Sequence, residues 1–158
     1  MIKNRKSLNL TECFILQWYI PVIMGFFPDT IALDGDPLDA LVLTWEPTFP
    51  GCVIDVYPIE LFDMEDDKGI DEKILCVPKS DPLCDYIKTV EQVPPHLLKE
   101  ITHFFETYKN LENKHVIVIG WEGLKTAANI LQEAKSRYVE QNEIADGCST
   151  LNKLSDNY

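Results

Sequence analysis

Apolar and polar positions come in short bursts through the middle of this chain and then change period. The runs ALVLTW (40–45), CVIDVYPIELF (52–62) and KILCVP (73–78) are rich in β-branched and aromatic residues and are bounded by proline, glycine or acidic turns, which predicts three strands. From Pro94 to Glu112, residues Leu97, Leu98, Ile101, Phe104, Phe105 and Tyr108 recur at helical spacing and make one apolar stripe on a helix begun by prolines. HVIVIGW (115–121) returns to strand character, and a second helix is expected from about Leu124 to Val139, with Leu124, Ala127, Ala128, Leu131 and Tyr138 on its apolar side. Beyond Gln141 the period is lost, so residues 142–158 are expected to form a loose, flexible tail. Strands followed by helices predict an α+β domain whose sheet curls into a small barrel. No internal repeat or low-complexity tract interrupts it. The apolar run from Phe14 to Phe27 fits neither period; Gln17 and Pro21 break it, it is too short to span a bilayer, and it lacks the small-residue cleavage site of a secretion signal.

With 158 residues and 46% hydrophobic content, the chain is long enough for one domain with a substantial core and short for two. Its net charge of −12 repels phosphate backbones and acidic membrane surfaces, and no basic patch offsets it, so neither nucleic acid nor membrane is expected as a partner. Divalent cations are the exception, because a metal's charge dominates the field where it binds. The five cysteines are odd in number, scattered and not in CxxC pairs, which predicts reduced thiols in a cytoplasmic protein.

Two acidic segments carry the candidate chemistry. In DGDPLD (34–39), glycine allows close backbone approach and proline fixes the turn, so three carboxylates are held on a short loop. In MEDDKGIDEK (64–73), a glycine turn precedes Asp71 and Lys73, which share one face if the stretch is extended. Oxygen donors in such number, without His/Cys pairing, suit Mg²⁺ or Mn²⁺ and not zinc. Each segment alone is more often a solvated surface turn than a site. A calcium-binding helix–loop–helix fails on register, since a loop starting at Asp34 puts Asp39 where glycine belongs and Trp45 where the bidentate glutamate belongs.

LDGDPLDALVL (33–43), MEDDKGIDEK (64–73) and THFFETYKNLE (102–112), in this order, resemble soluble family I inorganic pyrophosphatase over about residues 25–141. The resemblance implies a small OB-like β-barrel with two C-terminal helices and incomplete N-terminal strands, Mg²⁺ as cofactor, pyrophosphate as substrate, and a cytoplasmic homo-oligomer, a hexamer by family habit. Residue by residue, it implies that Asp34, Asp39 and Asp71 hold the activating pair of ions, that Asp36 helps deprotonate the attacking water, and that Asp66 holds ions arriving with the substrate. Lys73, Tyr108 and Lys109 match phosphate-binding groups, whereas Asp67 stands where the family has a glutamate. Metal ions would reconcile a chain of this charge with a polyanionic substrate. Read without the resemblance, Tyr108 continues the helix stripe, Lys109 suits a helix C-terminus, His103 suits a helix surface, and Lys73 suits a strand end.

The family's N-terminal portion ends in Y-P-x-N-Y-G-[FY], and here only Gly25-Phe26 stand in that register. Taking the third base of each codon with the first two of the next, Trp18-Tyr19 must give valine and Met24-Gly25 must give glycine. One legal coding of QWYIPVIMGF, CAA TGG TAT ATC CCT GTA ATT ATG GGT TTT, reads in that frame as AMVYPCNYGF when preceded by G. The same offset permits IKLDRVLHT across residues 7–16. Residues 1 to about 25 are therefore expected to be an out-of-frame segment ahead of a truncated pyrophosphatase domain (26–141), with a base gained or lost near the Phe26-Phe27 codons. Without those strands and phosphate contacts, poor solubility or weak activity is expected. A catalytically silent remnant or oligomer subunit is the alternative, and a binding module on a barrel-like sheet is a third.

Overall fold

The computed structural model describes the backbone of residues 7–9, 22–45 and 48–155 and the side chains within 22–143. Among these residues six strands pair in one sheet: β1 (Ser7–Asn9), β2 (Val22–Phe26), β3 (Asp39–Leu43), β4 (Val53–Asp66), β5 (Gly69–Pro78) and β6 (Ile117–Gly123), in the spatial order β1-β2-β3-β5-β4-β6. Among the described residues only the β3–β5 pair is parallel; the other pairings are antiparallel. Strand β1 also pairs with β4, which turns the sheet back on itself as a small OB-like barrel, although β1 meets β2 through the single pair Asn9↔Phe26.

The alternation read from the sequence sorts side chains to two faces. Leu41, Leu43, Leu75 and Val77 point into one apolar cluster, and Ala40, Val42, Ile74 and Cys76 point into the other. In β4, Ile59 and Phe62 share the first cluster although they are three residues apart, because the ladder shifts register between Pro58 and Glu60. Proline has no N–H to give the ladder, and a bulge there restores the inward direction for the rest of the strand.

Helix α1 (Pro95–Thr107) closes the first cluster, with Pro95 at its start and Leu97, Ile101, Phe104 and Phe105 buried as the stripe predicts. Phe105 packs 5.2 Å from Phe62, which lies 4.8 Å from Trp121 on β6. Burial of each such side chain contributes about 1.5–3 kcal/mol. Helix α2 (Leu124–Ser155) covers the second cluster with Ala127, Leu131 and Ala134. Small residues at two of these three positions let the helix lie close to the sheet.

Two segments differ from the sequence expectation. Strand β2 lies in the apolar run that carried no periodic signal, and it pairs along its length with β3 from Val22↔Leu43 to Phe26↔Asp39. Helix α2 does not end near Val139 but stays helical to Ser155; no proline follows Leu124 to stop it. The out-of-frame reading of residues 1 to about 25 falls mostly on residues 1–6 and 10–21, which lie outside the described residues. Among the described residues no helix is long and apolar enough to cross a membrane.

Candidate active site

The acidic loop connects β2 to β3 and is tied at its base. The Phe27 N–H donates to Leu38 O at 2.9 Å, while the buried Thr30 hydroxyl donates to Phe27 O at 2.6 Å and accepts from the Leu38 N–H at 3.0 Å. Farther out, the Ala32 N–H donates to Asp36 O at 2.7 Å, and Asp34 Oδ1 accepts from the Asp36 N–H at 3.0 Å. Gly35 sits at φ 91°, the left-handed region where a side chain is strained. Asp34 and Asp36 are exposed on this loop, and Asp36 faces Lys68 at 3.8 Å with 71% of its side chain open to solvent.

The parallel pairing of β3 with β5 sets Asp39 beside Lys73, and Asp71 precedes Lys73 by two residues on the same face. Lys73 Nζ donates to Asp39 Oδ2 and to Asp71 Oδ1, each at 2.6 Å, and only 3% of its side chain is exposed. Burial alone would strip its proton more easily, but the two carboxylates outweigh burial and hold its pKa above the ordinary lysine value. The ammonium also lies 5.6 Å from the centre of the Phe105 ring. Lys73 is therefore a buried counter-ion, not a strand-end surface charge.

The β4–β5 hairpin turn supplies Asp66, whose Oδ1 accepts from the Lys68 N–H at 2.7 Å and whose Oδ2 accepts from Lys109 Nζ. Burial pushes the Asp66 carboxyl upward, yet these two donors prevail and hold it below the usual carboxylate range. Lys109 is correspondingly held above its ordinary value despite burial, by Asp66 and Tyr108. Tyr108 ends α1, stacks on Phe104 with ring centres 5.6 Å apart, and has its hydroxyl pKa raised by burial. Tyr108 thus continues the helix stripe and also borders the cleft that Asp66 and Lys109 line. Asp67 is exposed and pairs with Lys114 at 3.4 Å, and His103 is an exposed helix residue.

Asp34, Asp36, Asp39, Asp66, Asp71, Lys73, Tyr108 and Lys109 all line one cleft of about 510 Å³. Lys68, Glu72 and Glu112 join them, so the cleft has seven acidic side chains against three lysines. That surplus repels a phosphate compound unless cations enter with it. Among the described residues no three His, Cys, Asp or Glu side chains stand in a chelating arrangement; the Lys73 ammonium is placed between Asp39 and Asp71. The donor set nevertheless fits a hard divalent cation. It is made of carboxylate oxygens without imidazole or thiolate, and Asp39, already raised by burial, also feels the negative charge of Asp71 and Asp34.

A family model described as inorganic pyrophosphatase matches residues 1–139. The chain belongs to the inorganic pyrophosphatase family. It is 70% identical over 141 residues to an inorganic pyrophosphatase of Methanosarcina acetivorans, covering 89% of this chain and 84% of that one. It is 44% identical over 139 residues to the inorganic pyrophosphatase of Geobacillus stearothermophilus, with 88% and 84% covered. The crystal structure of the inorganic pyrophosphatase of Thermus thermophilus superposes with a TM-score of 0.79 at 33% identity, covering 86% of this chain and 92% of that one. The enzyme of Helicobacter pylori superposes with a TM-score of 0.75 at 36% identity, with 85% and 86% covered. The α+β, OB-like architecture of this family member agrees with those neighbours.

Sequence reasoning did not find Thr30, Glu72 or Met24, which also lines the cleft. Thr30 had a legible trace, a hydroxyl residue four positions before Asp34. Met24 had none, because its place depends on the pairing of β2 with β3.

Proposed function

We propose that this chain hydrolyses inorganic pyrophosphate to two phosphates with Mg²⁺. The observation that carries the reading is the gathering in one cleft of eight residues from three separate sequence blocks. In this reading Asp34, Asp39 and Asp71 hold the activating ions and Asp66 an ion that arrives with the substrate. Bound there, those ions would polarise the phosphoryl oxygens and acidify the attacking water. Asp36, solvent-facing at the tip of its loop, takes the proton from that water. Lys109, kept protonated by Asp66 and Tyr108, binds phosphate oxygens together with the Tyr108 hydroxyl, and Lys73 offsets charge at the floor of the cleft.

The test is phosphate release from pyrophosphate, with and without Mg²⁺, by the chain and by Asp36→Asn. Release that needs Mg²⁺ and falls at least about 100-fold in the variant is expected. Equal rates in the two proteins refute the assignment and favour a silent remnant. That second reading is supported by the Lys73 ammonium lying between two of the metal-holding carboxylates.

The reading extends to the N-terminus and to the setting. We infer that residues 1 to about 25 are written out of frame and that the 158-residue chain is consequently impaired, and that the protein is a cytoplasmic homo-oligomer, a hexamer by family resemblance. The two forced codon junctions and the Gly25-Phe26 register support the first point. Sequencing the DNA around codons 1–30 tests it, since an upstream frame without codons for YPCNYG ends the idea. Sedimentation of the purified chain tests the assembly.

A further inference from the structure

The acidic loop is anchored to helix α2 at one residue. The Ile31 N–H donates to Ala134 O at 2.9 Å, and Ile31 O accepts from Arg137 Nε at 2.8 Å. Both backbone polar groups of Ile31 are therefore held by a single turn of a helix more than a hundred residues away in sequence. Ile31 precedes Asp34 by three residues, and the next residue, Ala32, is the one whose N–H donates to Asp36 O. A displacement of Ile31 is thus passed directly to the turn that presents Asp34 and Asp36.

Arg137 is itself fixed. Its Nη1 lies 3.8 Å from Glu133 one turn back, its charge acts on Glu72 of the cleft, and 29% of its side chain is exposed. Its Nη2 is buried with no hydrogen-bond partner among the described residues. Burying a donor without a partner opposes folding, so ion pairing alone does not account for this placement. Among the described residues, the short directional contact of the guanidinium is the bond to the loop carbonyl.

We propose that Arg137 is a positioning residue, a strap from α2 that sets the height of the acidic loop over the cleft and so tunes magnesium uptake and proton removal by Asp36. This rests on the pyrophosphatase reading. Arg137 does not line the cleft described above; it holds the acidic loop through the Ile31 carbonyl, and its charge also acts on Glu72.

The test compares the chain with Arg137→Leu, which removes every donor, and Arg137→Gln, whose Nε2 is bonded to Cδ just as the arginine Nε is. Magnesium uptake without pyrophosphate is followed by calorimetry, amide exchange at Ala32 and Asp36 by NMR, and hydrolysis as separate kcat and KM values. Arg137→Leu is expected to weaken magnesium uptake about tenfold, the equivalent of one charge-assisted hydrogen bond. It should also speed exchange at both amides and lower kcat with little change in KM, because Lys73 and Lys109 lie on other elements. Arg137→Gln should recover most of each loss at a similar melting temperature. Leu and Gln variants that behave alike, whether both like the parent or both impaired in step with their melting temperatures, overturn the proposal. If the parent neither takes up magnesium nor releases phosphate, the pyrophosphatase reading falls separately. Exchange at Ala32 and Asp36 then still decides the strap, with an unchanged rate in Arg137→Leu overturning it.

Discussion

Replacing Lys73 by methionine probes the electrostatic centre of the cleft. The ammonium is almost wholly buried and bridges two carboxylates at 2.6 Å each, with 36% of the Asp39 side chain and 20% of the Asp71 side chain exposed. Removing one partner from a buried pair costs about 3–5 kcal/mol. Partial exposure of both carboxylates screens their mutual repulsion, which lowers that figure to roughly 2–3 kcal/mol. Methionine keeps apolar contact with the Phe105 ring through its thioether, so packing loss adds little. At about 2–4 °C per kcal/mol for a domain of this size, the melting temperature in chelator should fall by roughly 5–10 °C. On the proposed reading, excess Mg²⁺ should then stabilise the variant more than the parent, because the two carboxylates have lost their internal cation and would bring an ion together only in the folded chain. Thermal unfolding by circular dichroism, with chelator and with Mg²⁺, reads both effects. A variant that melts within about 1 °C of the parent in chelator, or equal stabilisation of both proteins by Mg²⁺, refutes the view of Lys73 as stand-in counter-ion.

Other substitutions test neighbouring parts of the same argument. Thr30→Val preserves shape but strands the Leu38 N–H and the Phe27 carbonyl, so a loss of roughly 2–4 kcal/mol is expected in urea unfolding. Asp63 has one carboxylate oxygen buried without a hydrogen-bond partner among the described residues, faces Glu72 across the β4–β5 ladder, and has its pKa raised above 3.8 by burial and then by Glu122. A raised acid pKa favours the folded state below the unfolded value, and that advantage is lost as pH climbs through the folded value. Asp63→Asn should accordingly stabilise the chain at pH 7 by on the order of 1 kcal/mol, with the gain fading below about pH 4, as melting curves across that range would show. Restoring the alternative frame upstream of Phe26 should raise soluble yield and hydrolysis together relative to the 158-residue chain; no change in either would count against the frame reading.

Much of the fold was legible because its strands alternate and its first helix has a stripe. Leu41 and Leu43 against Ala40 and Val42 is the alternation that both announces β3 and divides its side chains between the two clusters. Strand β2 was not legible, since VIMGF reads as an unbroken apolar run and its identity as a strand comes from its partner β3. The true length of α2 was hidden for the opposite reason: a backbone can remain helical where the side chains no longer show a stripe. At the site, the eight residues were named through resemblance, and their nearness in sequence predicted only two local groups. The burial of Lys73 depends on a parallel register between strands thirty residues apart, which no local pattern encodes. Arg137 and Thr30 escaped for the same reason, as each acts through a backbone group that sequence does not display.

The parallel β3–β5 pairing imposes an order on assembly. Parallel neighbours need a crossover between them, and here that crossover contains the whole of β4. A nascent chain that has emerged only through residue 68 would hold an acidic loop and a long hairpin arm but neither the lysine that neutralises Asp39 nor Asp71. The Asp39–Lys73–Asp71 floor of the cleft therefore comes into being in one step with the β3–β5 pairing, so a product that ends before β5 keeps the acidic loop but not the lysine that neutralises it.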